Sequence, residues 1–408
     1  VDPGTGVLTF TASVNNWDGY VSKYDPAGNM IWAKHLAGNG TEYVNALATD
    51  QDGNIYLTGG FSTTLDLDPG PATVLVNGLS NSSNMYVIKL DSSGNFVWGR
   101  SLNSQSSAGC QGWDIVLDDL GNVIVVGQFG LMVDFDPGPG TFTMNGYNGN
   151  AYILKLDSSG NFVWAKKVGS NIANVASVRA VSMDKANDIV LVGKFSNTVD
   201  FDPGAGTFNL STGLYPNAFV LKLRNSGTFS WAKQFAGPAL TETWDVAIDR
   251  AGNVITTGTF EETADFDPGV GTVSLSSPNY ADIFVSKLDS TGNFVWVDRF
   301  GGFYDDVMGT LDVDDLGNIY LSGTFASPMD IDPGPATNLL YAMDGADNFL
   351  MKLNPAGNLI SNPAWIPYTL ATAAFWMACT WLSVPSKSML SCPFKLKFLR
   401  TIAFCNWV

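Results

Sequence analysis

The chain has 408 residues, 34 Asp against 4 Glu, 21 Lys and Arg, and a net charge of −17. Phosphate contacts need Lys and Arg, so this balance argues against nucleic acid as a partner. Glu favours helices and Asp favours turns, so the Asp excess, with 43 Gly and 12% aromatic residues, argues against a helical protein and for short strands joined by tight turns.

The chain opens on "VDPGTG", a cut copy of a motif that returns along its length. The full copies are "LDLDPGPAT" from Leu65, "VDFDPGPGT" from Val133, "TVDFDPGAGT" from Thr198, "ADFDPGVGT" from Ala264 and "MDIDPGPAT" from Met329. The Asp before each Pro-Gly is Asp2, Asp68, Asp136, Asp202, Asp267 and Asp332, spaced by 66, 68, 66, 65 and 65 residues. Trp32, Trp98, Trp164, Trp231 and Trp296 keep the same beat. A third marker is the Asp-x-x-Gly-Asn turn of "TDQDGNIYLTG", "LDDLGNVIVVG", "IDRAGNVITTG" and "VDDLGNIYLSG"; in "MDKANDIVLVG" Asn187 replaces the Gly. Three markers on one period define an internal repeat.

Each period reads as four main strands. "YVNALATD" and "NIYLTGGF" flank one turn, "NMYVIKLD" and "NFVWGRSL" flank a second, and the Asp-Pro-Gly segment runs between the two hairpins. The strands are apolar on both faces, with Tyr86, Ile88 and Leu90 on one side and Met85 and Val87 on the other. A sheet with two apolar faces needs cover on both, which radial stacking of four-stranded blades supplies. The fold class expected is all-β, a β-propeller of about six repeats over residues 1–360, its last blade incomplete. Second hairpins fall at 20–35, 86–101, 152–167, 219–234 and 284–299, and a sixth begins at "NFLMKLNPAGNLI". First hairpins are intact five times, so the N-terminal second hairpin expects a returning first hairpin from beyond residue 360.

The stretch "DFDPGAGTFNL…AFVLKL…WAKQFAG…VAIDRAGNVITTGTF" resembles the bacterial SBBP-type β-propeller repeats of large secreted or surface proteins, especially of Bacteroidetes-like bacteria. The resemblance covers residues 1–360. It implies an extracellular or cell-surface location and a scaffold or interaction role in a fragment of a larger secreted protein, and it carries over no catalytic residues.

Residues 361–408 break the pattern, with no Asp or Glu, four basic residues and three of the four cysteines. Ala364 to Val384 is an uncharged run of 21 residues followed by basic ones, which suits a membrane anchor. The second reading is a frameshift after about Ile360. Phe375-Trp376-Met377-Ala378 must be encoded TTY-TGG-ATG-GCN, and the frame starting at the third base spells Leu-Asp-Gly. That resembles the repeat's own "VDDLGNIYLSG". A membrane is a partner only if the tail is a genuine anchor.

The strand alternation places the two carboxylates of each Asp-x-Asp-Pro-Gly on one face, giving the pairs Asp66/Asp68, Asp134/Asp136, Asp200/Asp202, Asp265/Asp267 and Asp330/Asp332. Such pairs beside a Gly-containing turn suit Ca²⁺. The same residues also suit a structural turn, with Pro fixing φ and Asp bonding nearby N–H groups, and a motif present once per blade favours that reading. Hydrophobic residues follow the "DSSGN" and "DRAGN" turns at once, so these read as hairpin turns rather than EF-hand loops. The Trp series reads as packing between blades more than as a sugar platform. His35, the single histidine, is expected at the surface, and Cys110 stands alone before residue 360, so no disulfide framework holds the body. No catalytic motif is present. The function expected is a non-catalytic interaction module with a protein or glycan partner; the alternative is a glycan-binding or glycan-active propeller using carboxylates. The connections 103–113 and 168–178 are the most irregular.

Overall fold

The computed structural model describes residues 8–361, apart from 13–15, 79–81, 103–108, 147–148, 170–175, 327, 335 and 343–345, together with a strand at 402–406. Blade I holds β1 (Gly19–Tyr24) and β2 (Met30–Leu36). Blade II holds β3 (Glu42–Thr49), β4 (Ile55–Phe61), the ribbon β5 (Thr64–Asp66) and β6 (Leu75–Asn77), then β7 (Asn84–Leu90) and β8 (Phe96–Leu102). Blade III repeats this as β9 (Cys110–Leu117), β10 (Val123–Phe129), β11 (Met132–Asp134), β12 (Thr143–Asn145), β13 (Asn150–Leu156) and β14 (Phe162–Val168). Blade IV is β15 (Ala176–Met183), β16 (Ile189–Phe195), β17 (Thr198–Asp200), β18 (Asn209–Ser211), β19 (Asn217–Leu223) and β20 (Phe229–Phe235). In blade V the ribbon merges into its neighbours, leaving β21 (Thr241–Ile248), β22 (Val254–Asp265), β23 (Ser274–Leu288) and β24 (Phe294–Gly302). Blade VI is β25 (Val307–Val313), β26 (Ile319–Phe325), β27 (Met329–Asp330), β28 (Leu339–Leu340), β29 (Asp347–Leu353) and β30 (Leu359–Ser361), and β31 (Ile402–Asn406) follows far along the chain.

The main strands of blades II, III, IV and VI form separate four-stranded antiparallel sheets in chain order. Blade V has the same four strands and gains the ribbon β27–β28 at its edge. First strands pack successively on one another, β3 on β9, β9 on β15, β15 on β21 and β21 on β25, so they lie on the inside of the fan. The hydrophobic clusters lie between sheets rather than within one. Tyr56, Val87 and Trp98 of blade II share a cluster with Ile115, Val125 and Tyr152 of blade III, and Ile124 and Ile153 of blade III share the next with Ile189 and Leu191 of blade IV. The chain is therefore a β-propeller of four-stranded blades, as the two apolar strand faces required.

The expected count of about six blades is met only in part. Blade I is a three-stranded sheet in the order β2-β1-β31. A single strand, not the returning hairpin the repeat called for, pairs with β1. The remainder of the tail, with its anchor and frameshift readings, lies outside the described residues.

Two features of the first hairpin recur in every complete blade. Gly59, Gly127, Gly193, Gly258 and Gly323 stand where a Cβ would lie 1.8 to 2.4 Å from a first-strand carbonyl oxygen, so no larger residue fits. Opposite them each first strand carries a bulge, at Asn45, Trp113, Arg179, Trp244 and Gly309, where the register shifts by one. A bulge re-aims one side chain per blade.

Candidate functional site

Seams between blades consume most of the chemistry-bearing side chains. Trp98 Nε1 donates to Ser158 O at 3.1 Å, Trp231 to Ser290 O at 3.3 Å and Trp296 to Pro355 O at 3.3 Å, always in the next blade's outer turn. The Gly of that turn, at positive φ, stands where a Cβ would run into the indole of the preceding blade: Gly94 by Trp32, Gly160 by Trp98, Gly227 by Trp164, Gly292 by Trp231 and Gly357 by Trp296. The Trp series is a row of latches between blades.

Each Asp-x-Asp-Pro-Gly copy folds into the same turn. In blade II, Asp66 Oδ1 accepts from the N–H of Asp68 at 3.1 Å and of Val74 at 2.8 Å, and Asp68 Oδ1 accepts from Gly70 N at 2.7 Å. Asp134/Asp136, Asp200/Asp202, Asp265/Asp267 and Asp330/Asp332 repeat this pattern. One oxygen of every pair member is thus held by backbone donors. Among the described residues no three His, Cys, Asp or Glu side chains gather as a metal site, so a Ca²⁺ ion at these turns would rest on the second carboxylate oxygens and backbone carbonyls.

The Asp of each hairpin turn caps its own backbone as expected. Asp91 Oδ1 accepts from Ser93 N and Asn95 N, and Asn95 Nδ2 donates to Asp91 Oδ2. Burial pushes up the Asp289 carboxyl, yet the N–H of Asn293 and its neighbours outweigh this and hold it at about 2.

The cluster that sequence reasoning missed lies on the inner strands of blades III to V. The Arg179 guanidinium stands 5.8 Å from the Trp113 ring and 4.7 Å from the Trp244 ring. Its Nε meets Glu242 Oε1 at 2.7 Å, and Lys194 Nζ meets Glu242 Oε2 at 2.8 Å. Trp244 Nε1 donates to Thr259 Oγ1 at 3.3 Å. Two cations hold the one carboxylate, so the cluster offers a cationic, aromatic surface for contact and no base. Its bulge positions break the two-residue alternation, which is why the pattern concealed them.

His35 departs from expectation: it is part-buried, with Nε2 at 2.7 Å from Asp18 Oδ2, and it stacks on Phe10 at 5.0 Å. Beside it, burial and then the charge of Asp18 push Glu42 up to about 8. Asp282 and Asp306 occupy the equivalent joint between blades V and VI, where Arg299 Nε meets Asp282 Oδ2 at 2.9 Å. Burial, opposed by Arg299, raises Asp282 to about 6; burial, with the charge of Asp282 also contributing, raises Asp306 to about 7. An arrangement present at two joints is a feature of the framework. Cys110 lies at the base of a cleft of about 190 Å³ lined by Ser83, Gln111, Gln128 and Phe129. Burial raises its thiol pKa, which keeps it an unreactive thiol. The irregular connections at 103–108 and 170–175 lie outside the described residues.

No family model matches the chain. It is 23% identical to a WD repeat-containing protein of Acanthamoeba polyphaga mimivirus, covering 86% of this chain and 28% of that protein. The chain thus spans little more than a quarter of that relative's length. Among solved structures it is similar to a protein of unknown function from Bacteroides caccae, at 11% identity and a TM-score of 0.40, covering 85% of this chain and 93% of that one. It is also similar to the Dos1 propeller, at 13% identity and a TM-score of 0.40, covering 74% and 70% of the two chains.

Proposed function

We propose that the chain is a non-catalytic interaction scaffold of an extracellular or cell-surface protein, built from SBBP-type repeats and forming part of a longer polypeptide. The observation that carries this reading is a set of exposed aromatic and aliphatic side chains at one end of blades IV to VI. Leu214, Tyr215, Tyr280, Phe303 and Tyr304 stand exposed on segments that lead into third or first strands. Phe303 and Tyr304 pack edge to face at 5.3 Å. The residues before each third strand differ between copies, as in "NSS", "YNG", "LYP" and "NYA", while the strands themselves barely change. Variable loops on a rigid repeated frame are where a recognition surface belongs. Exposed Tyr and Phe supply apolar area with a polar tip, chemistry that suits a protein or glycan partner.

A polysaccharide panel tests the reading. Binding without cleavage, lost in the combined Tyr280→Ala, Phe303→Ala and Tyr304→Ala variant, or a protein partner lost in the same variant, supports it. Hydrolysis of any polysaccharide by the purified chain overturns it.

A further inference from the structure

The copies of the repeat agree closely except on the inside of the fan. Every second strand of a complete blade ends with a constant Gly and a constant Phe, as at Gly193 and Phe195. The residue between them is Gly60, Gln128, Lys194, Thr259 or Thr324. The first-strand bulges vary in the same way, holding Asn45, Trp113, Arg179, Trp244 and Gly309. A residue dictated by the fold repeats in every blade. A residue that changes from copy to copy answers to something that meets the blades one at a time.

These varied side chains join across neighbouring blades. Asn45 Nδ2 donates to Gly112 O at 2.8 Å, Gln128 Nε2 donates to Ser177 Oγ, and Lys194 Nζ donates to Glu242 Oε2. Arg179 stands at the middle of the run. Its Nε is bound to Glu242, and the rings of Trp113, from the preceding blade, and Trp244, from the following one, lie within cation–π reach. These contacts fix the guanidinium and leave Nη1 and Nη2 with no partner among the described residues. The Arg179 side chain is 22% exposed and that of Glu242 only 4%, so solvent reaches the cation while the carboxylate is shut away. Beside Arg179, Trp113 Nε1 is shielded from solvent and also has no partner among the described residues. Such a donor costs stability unless something bonds it.

Glu242 offsets one of the two cations, so the cluster keeps one positive charge in a chain of net −17. The carboxylates that follow the two tryptophans are engaged in the seams. Asp114 Oδ2 accepts from Val181 N at 2.8 Å and Asp245 Oδ2 from Leu311 N at 2.9 Å. The open edge of an arginine matches the two oxygens of a carboxylate, and half-buried indoles match the flat face of a ring. The net negative charge of the chain repels a polyanion, which favours a guest with a single charge. We propose that Arg179, with Lys194 beside it, receives the carboxylate of a small monoanionic acid built on an aromatic or sugar ring, held against the indoles of Trp113 and Trp244. The site stands apart from the exposed aromatic end of blades IV to VI.

The test titrates the full chain with benzoate and with glucuronate, and with benzyl alcohol and glucose as their neutral counterparts, by calorimetry and tryptophan fluorescence. One-to-one binding of an acid is expected, with its neutral counterpart about tenfold or more weaker; the tighter of the two acids tells whether the ring is aromatic or a sugar. Arg179→Met weakens that acid about tenfold or more, and Arg179→Lys, which keeps the charge and loses the planar fork, about threefold or more. Lys194→Met, which removes a part-exposed charge, weakens it about threefold and serves should the Arg179 variants fail to fold. Binding of neither acid overturns the inference. Equal binding of an acid and its neutral counterpart does so too, as does undiminished affinity in any of these variants that folds.

Discussion

The seams at the two ends of the described fan and those in its middle share one backbone joint but differ in charge. At four joints the N–H at the start of a first strand donates to the carbonyl just before the preceding blade's third strand: Glu42 to Trp17, Cys110 to Ser83, Thr241 to Pro216 and Asp306 to Ala281. The side chains flanking that bond are Asp18 with Glu42 and Asp282 with Asp306 at the ends, but Asn84 with Cys110 and Asn217 with Thr241 in the middle. Asn84 Nδ2 donates to Phe61 O and Ser82 O. Each acidic joint has a basic side chain that meets its carboxylate from the matching fourth-strand position, His35 or Arg299, where the middle blades carry Ser101, Lys167 and Gln234. The joint therefore tolerates two buried carboxylates where a basic partner or a bound proton offsets the cost of desolvation.

The largest effect expected belongs to a middle seam. Trp98→Ala removes a buried indole and its bond to Ser158 O, costing about 3–5 kcal/mol in denaturant unfolding. Trp296→Ala at the last seam removes a more exposed ring and costs about 1–3 kcal/mol; equal losses would erase the distinction between seams. Next comes Asp245→Ala, which strips the acceptor of Thr310 Oγ1 and Leu311 N, both at 2.9 Å, and costs about 2 kcal/mol.

The pH dependence separates the two kinds of seam directly. Glu42, Asp282 and Asp306 sit at about 8, 6 and 7, above the ordinary carboxylate range of about 4. A raised acid binds its proton more tightly folded than unfolded, so its stabilising effect is complete below pH of about 4, is lost as pH rises from there to the folded values of about 6 to 8, and levels off above them. The melting temperature should fall across that window, and Glu42→Gln combined with Asp306→Asn should flatten the fall. Asn84→Gln, at a neutral seam, should lower stability without changing the slope. The smallest effect is expected for Leu120→Ser at an exposed turn tip, within about 0.5 kcal/mol.

The repeat made the blades legible. A period shared by Trp98, Asp118 and Asp136 with their copies, and strands apolar on both faces, leave radial stacking as the economical burial. The Asp-Pro-Gly turns and the packing role of the Trp series followed from the same regularity. What escaped were relations between copies. The pairing of Lys155 with Asp118 spans 37 residues and two hairpins, and no local pattern ties a third-strand lysine to a first-hairpin turn. Asp18, Asn84, Asn150, Asn217 and Asp282 look like strand-opening polar residues until the neighbouring blade is set beside them. Arg179 was hidden because a bulge breaks the alternation on which strand faces are read. His35 reads as a surface residue in sequence because its partner, Asp18, lies 17 positions earlier, at the far end of the β1–β2 hairpin.

The tryptophan latch also has a direction. One side of blades I to V presents the indole and the facing side of the next blade presents the glycine of a turn, so successive units join head to tail with unlike surfaces meeting. Loss or duplication of a whole unit leaves both kinds of surface intact at the new junction. Gene-level expansion and contraction of the array is therefore structurally inexpensive.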